Sequence, residues 1–148
     1  MYKHILVPLD QSELAEAALP HAVAVAQAMH AQVTLVAVVD VLDEDTMRAA
    51  GAAIDWETEI ENLGAYLQAL CHRLGEEDVP CHWEVLKGDV GEQILEYVDE
   101  KDCDLIVMST HGRSGLARWV HGSVADRLVA RTPVPILLVR GESINDDR

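Results

Sequence analysis

The chain has 148 residues, 49% of them apolar, with 26 acidic side chains against 11 Lys and Arg for a net charge of −15. One domain of this size buries roughly two-thirds of the surface its unfolded chain exposes, which excludes a small scaffold that needs disulfides or a structural metal to fold. The acidity excludes a general nucleic-acid binder, which needs a basic face, and no apolar run approaches the ~20 residues of a membrane-crossing helix.

Strand-like runs alternate with longer segments of helical period, the pattern of βαβ units. Strands are expected at 4–9, 32–39, 82–86, 105–109 and 136–140, each rich in Val, Ile or Leu. Several are almost continuously apolar, as expected where helices cover both faces of a parallel sheet. The fold class is therefore α/β, an open five-stranded parallel sheet in a three-layer, Rossmann-like sandwich.

The amino terminus, Met1-Tyr2-Lys3-His4, enters the first strand without a secretory h-region or cleavage site, so a cytoplasmic location is expected. A first helix starts at Ser12, an N-cap followed by Glu13 and Glu16 at the positive end of the helix dipole, and runs to about Met29. Pro20 removes a backbone donor inside it and predicts a kink or local break. Between Asp40 and Asp55 the acidic, small-residue sequence predicts a loop or a frayed helical turn. A second helix covers 55–74 with Ile60, Leu63, Leu67, Leu70 and Leu74 on its apolar face. A third spans 90–101 and a fourth 123–131, ending before Thr132-Pro133. The polar residues 142–148 form a flexible tail on a single domain of residues 1–141.

Cys71, Cys81 and Cys103 are odd in number and lack C-x-x-C spacing, so three reduced, partly buried thiols are expected. The seven histidines show no zinc-binding spacing, and no metal site is expected from protein ligands. The charge is unevenly spread. From Leu105 to Gly141 there are five arginines (Arg113, Arg118, Arg127, Arg131, Arg140) against Asp126 alone, an excess of +4, while the rest of the chain carries −19. Such a stretch suits a small anion; the alternative is ordinary solvated helix faces.

If the strands take the order 3-2-1-4-5, the winding reverses between the first and fourth, and a ligand crevice opens beyond their carboxyl ends. Asp10-Gln11-Ser12 then faces Ser109-Thr110-His111-Gly112. Gly112, Gly115 and Gly122 permit close backbone approach, and the helix opening at Gly122-Ser123 offers free N–H groups to a phosphate, with Arg113 and Arg118 able to add charge-assisted hydrogen bonds. The same glycines also serve ordinary turns. Asp10 is either a ligand contact or an Asx-turn former, and Asp40, at the end of the second strand, either reaches the ligand or is a solvated loop residue. No P-loop and no G-x-G-x-x-G after the first strand is present, and no nucleophile–base set or G-x-S-x-G elbow is visible, so no catalytic residue is assigned.

The run Ile5-Leu6-Val7-Pro8-Leu9-Asp10-Gln11-Ser12, the loop from Met108 through Ser109, Gly112 and Gly115, and Gly122-Ser123-Val124-Ala125-Asp126-Arg127 together resemble the universal stress protein family, in particular its ATP-binding members, over about residues 2–140. Those members carry G-x2-G-x9-G-[ST] after the fourth strand; here Gly112, Gly122 and Ser123 match and Ser109 stands at the first glycine position. The resemblance implies an adenine nucleotide alpha hydrolase-like fold and a nucleotide site formed by Pro8, Asp10, Val38, Met108, Ser109, Thr110, Gly112, Arg113, Gly115, Gly122, Ser123 and Val124. Gly112, Gly122 and Ser123 would hold phosphates, Pro8 and Asp10 would lie near adenine or ribose, and Val38 would line the adenine pocket. It further implies ATP as ligand, with Mg or Mn held mainly by the phosphates. A homodimer paired through the fifth strand, Pro135 to Arg140, and a regulatory role in stress with a protein partner complete that reading. A slow ATPase or phosphotransferase and a nucleotide-free scaffold are the alternatives.

Overall fold

Five apolar runs become five parallel strands: β1 (His4–Pro8), β2 (Gln32–Asp40), β3 (Cys81–Gly88), β4 (Leu105–Thr110) and β5 (Ile136–Arg140), in the order β3-β2-β1-β4-β5. The computed structural model describes residues 1–40, 48, 49, 51, 55–110 and 122–140. The expected loop from Asp40 to Asp55, most of the glycine-rich stretch after Thr110 and the tail beyond Arg140 lie largely or wholly outside those residues. Successive residues Val33 to Val39 are all at most 8% exposed, as are Ile5, Leu6 and Val7, so both faces of the central strands are covered. That burial is why these strands are uninterrupted apolar runs and not alternating ones.

The helices are α1 (Glu13–Glu16), α2 (Leu19–Met29), α3 (Trp56–Glu76), α4 (Val90–Glu100) and α5 (Gly122–Arg131). Ser12 caps α1 as expected, accepting from the Ala15 N–H. The break falls before Pro20, which sits in the first turn of α2, where its missing N–H costs no helical hydrogen bond. Asp55 and Asp89 cap α3 and α4 in the same way, through the N–H groups of Thr58 and Glu92. Along α3, Leu63, Leu67, Leu70 and Leu74 are buried, but Ile60 is 38% exposed and lies outside the core. Gly64 takes a place on the buried face instead: a Cβ there would stand 3.1 Å from the Trp83 ring on β3.

One expectation is corrected. Cys71, late in α3, and Cys81, the first residue of β3, are joined as a disulfide, with Cα atoms 5.2 Å apart. Helix and strand meet there because the connector is only four residues long, turned by Asp78 at φ 62°. Cys103 alone is the free thiol among the described residues. No described helix is long and apolar enough to cross a membrane.

Candidate functional site

β1 and β4 are direct neighbours, pairing Ile5 with Leu105 and Leu6 with Ile106, so the winding reverses between them, and the end of the sheet beyond Pro8 and Thr110 is where a fold of this kind opens a ligand crevice. On leaving β1 the chain stays against β2, the Leu9 N–H donating to the Val36 carbonyl at 2.8 Å. It then turns sharply. Asp10 Oδ1 accepts from the Ser12 N–H at 3.0 Å and from the Ser12 hydroxyl at 2.5 Å, while Gln11 between them sits at φ 70°. A left-handed conformation costs a non-glycine residue on the order of 1 kcal/mol or more, and these two hydrogen bonds hold it.

Asp10 is 8% exposed, and its second oxygen, Oδ2, is buried with no hydrogen-bond partner among the described residues. The two roles left open for this side chain therefore fall on different atoms: Oδ1 makes the Asx turn, and Oδ2 remains an unsatisfied acceptor. An unpaired buried polar group costs about 1–3 kcal/mol, a cost that an incoming donor removes.

Sequence reasoning missed two neighbours. The Tyr66 hydroxyl on α3 donates to Glu16 Oε2 at 2.5 Å, fastening α3 to α1 beside the turn. Burial first, then Glu16, raises the Tyr66 pKa, and Asp10 adds to the shift. Glu16 lies one turn beyond Ser12, but nothing in the sequence says that Tyr66, fifty residues on, meets it.

Pro8 is buried at the end of β1, and Val38 lies on β2 two residues past Val36, the partner of Pro8. Met108 and Ser109 are fully buried, and Thr110 is half-buried at the end of β4. The Ser109 hydroxyl donates to the Ala15 carbonyl at 3.3 Å, so it is spent tying β4 to α1. Val124 is half-buried and packs against the core. α5 opens at Gly122 with Ser123 as its second residue, which brings the backbone of both into a helix N-terminus. Gly112, Arg113 and Gly115 lie outside the described residues.

Two arginines of the basic stretch are committed elsewhere. Arg127 Nη2 donates to Asp89 Oδ2 at 2.7 Å and to Glu92 Oε1 at 3.3 Å, and Arg131 also pairs with Glu92. These pairs clamp α5 to α4; the Arg127 hydrogen bond holds the Asp89 pKa below its usual value, and Arg131 does the same for Glu92. Neither arginine is left over for an anion. At the opposite end of the sheet Cys103 lies 3.8 Å from the His4 ring, and burial pushes its thiol up to about 12, away from the thiolate form. No cluster of three metal-ligating side chains occurs among the described residues.

The universal stress protein family matches this chain over residues 1–140. The chain belongs to that family. Universal stress protein MJ0531 of Methanocaldococcus jannaschii is 35% identical over 144 residues, covering 95% of this chain and 83% of that one. Among solved structures, universal stress protein UspA from Lactobacillus plantarum superposes with a TM-score of 0.75 at 25% identity, covering 94% and 98% of the two chains. Two more distant structures share the fold of this universal stress protein. One is a universal stress protein in complex with cAMP (TM-score 0.64, 18% identity, covering 95% and 98%). The other, from Archaeoglobus fulgidus, is in complex with dAMP (TM-score 0.67, 20% identity, covering 94% and 98%).

Proposed function

We propose that this universal stress protein binds ATP in the crevice between the ends of β1 and β4 and works as a homodimeric, cytoplasmic regulator whose nucleotide state alters a surface read by a protein partner. The observation that carries the reading is the unpartnered Asp10 Oδ2, a buried acceptor at the switch point of the sheet. An acceptor suits the donor-bearing adenosine end of a nucleotide, either a ribose hydroxyl or the adenine amino group, and is wrong for phosphate oxygens. Phosphates fit the other wall, where the first N–H groups of α5 at Gly122, Ser123 and Val124 are unpaired within the helix. Pro8, Val38 and Met108 supply the apolar floor, and Ser109 and Thr110 the backbone edge. Gly112, Arg113 and Gly115 would close the loop over the phosphates, and Mg or Mn would be held mainly by the phosphates and water. That fold relatives have been solved with cAMP and dAMP supports an adenine nucleotide as the ligand class.

The dimer reading rests on β5, which lies at a sheet edge and exposes Leu137 (38%) and Leu138 (41%). An exposed apolar edge strand invites pairing, and antiparallel pairing of two copies gives C2 symmetry. Mass spectrometry of the purified, denatured protein should reveal co-purified ATP, and phosphate release should not exceed one equivalent per chain. Sustained turnover would move the assignment to an ATPase; absence of nucleotide together with no calorimetric ATP binding would leave a scaffold.

A further inference from the structure

The crevice makes no use of Cys71 and Cys81, which lie at the other end of the sheet: Cys81 opens β3 opposite Val33, near the start of β2. We propose that Cys71 and Cys81 form a reversible thiol–disulfide exchange site whose co-reactant is a dithiol. Geometry and access both point this way. The two Cα atoms are 5.2 Å apart on rigid elements, within the range a disulfide spans without backbone movement. Both residues line an open groove of about 870 Å³, together with His72, Pro80 and Trp83, the last 40% exposed. Cys81 is half-buried and Cys71 is 9% exposed, so attack falls on the Cys81 sulfur.

The reduced state is provided for as well. The His82 carbonyl lies 3.2 Å from the Cys71 sulfur and 3.6 Å from that of Cys81, so either thiol has an acceptor waiting with no change of backbone. In the exchange, a thiolate of the dithiol attacks Cys81 Sγ, the Cys71–Cys81 bond breaks, and Cys71 leaves as thiolate and takes a proton. The second thiolate of the reagent then attacks its own partner sulfur in the mixed disulfide, releasing Cys81 and closing the reagent's disulfide. Two electrons and two protons pass to the protein. Oxidation fastens the end of α3 to edge strand β3, and reduction frees it.

The test is native alkylation followed by intact mass. After equilibration with oxidised dithiothreitol, N-ethylmaleimide should add to no cysteine; after native reduction it should add to Cys71 and Cys81. Cys103, 3% exposed, should react only once the chain is denatured, and Cys103→Ser should leave the native count unchanged. Labelling of both cysteines after the oxidised incubation, or of neither after native reduction, overturns the proposal. Reduction tenfold or more faster by a thioredoxin-type protein than by dithiothreitol at equal thiol concentration assigns a protein dithiol; equal or slower reduction assigns a small one. No reduction by either overturns it. ATP titration reads the far end of the sheet, so the fates of the two proposals separate.

Discussion

Replacing Asp10 separates its two oxygens. Asp10→Asn keeps Oδ1, and with it the acceptor for the Ser12 N–H at 3.0 Å and the Ser12 hydroxyl at 2.5 Å, because Asn forms the same Asx turn. It replaces the buried, unpaired Oδ2 by an amide that donates and cannot accept. The folded protein without nucleotide already carries the cost of that unpaired atom, so exchanging one unsatisfied group for another changes stability by less than about 1 kcal/mol. The ATP complex loses an acceptor that its ligand's donor had satisfied, about 1–3 kcal/mol, or roughly a 5- to 150-fold weaker Kd. Asp10→Ala loses both functions, so it should weaken ATP to a similar degree and also lower the unfolding free energy read from urea melts by about 1–2 kcal/mol for the lost turn at Gln11. Paired urea melts and calorimetric ATP titrations of the three proteins check this. Asp10→Asn binding ATP as tightly as the parent, or losing as much stability as Asp10→Ala, would refute the division of labour.

Gly122→Val, which sets a branched side chain at the first turn of α5 where phosphate oxygens should approach, should abolish ATP binding with the circular dichroism melt nearly unchanged; unchanged calorimetric affinity contradicts the placement. Leu138→Lys puts a charge on the exposed β5 edge and should turn a sedimenting dimer into monomer, whereas a dimer of unaltered strength denies that edge a role. Asp89→Asn retains the cap of α4 but loses the ion pair with Arg127. Both side chains are more than a third exposed, so the loss at neutral pH should be below about 1 kcal/mol. Because the folded Asp89 pKa is depressed, the pair's contribution is whole above the usual carboxylate range near pH 4 and disappears as pH falls through the folded value. Urea midpoints of parent and variant should therefore converge below about pH 4, and a constant gap down to pH 2 would disprove the pairing's role.

The strands are legible because parallel strands buried on both faces must be continuous apolar runs; their order 3-2-1-4-5 enters the sequence reading as a premise, and the sheet adopts it. Local caps were legible for the same kind of reason: Ser12 acts within three residues of itself. What escaped the sequence are meetings set by tertiary packing. The pairing of Cys71 with Cys81 depends on how a four-residue connector returns α3 to the sheet edge. The basic stretch reads as an anion site because five arginines stand against Asp126 alone in sequence, yet two of them, Arg127 and Arg131, are paired across the α4–α5 contact with Asp89, 38 residues from Arg127, and Glu92. Ile60 fits the helical period but lies near the start of α3, where it stays exposed. Within the candidate site, motif spacing names candidate residues, but only coordinates divide Asp10 into a turn-forming and an unpaired oxygen and show the Ser109 hydroxyl committed to Ala15.

The most direct measurement is a two-dimensional amide NMR titration of the nucleotide-stripped protein with ATP. The account predicts saturable shifts concentrated at Gln11, Ser12, Thr110 and Gly122 to Val124, with residues at the Cys81 end of the sheet unmoved. Resonances of the β1 turn and the start of α5 that stay in place at millimolar ATP would contradict it.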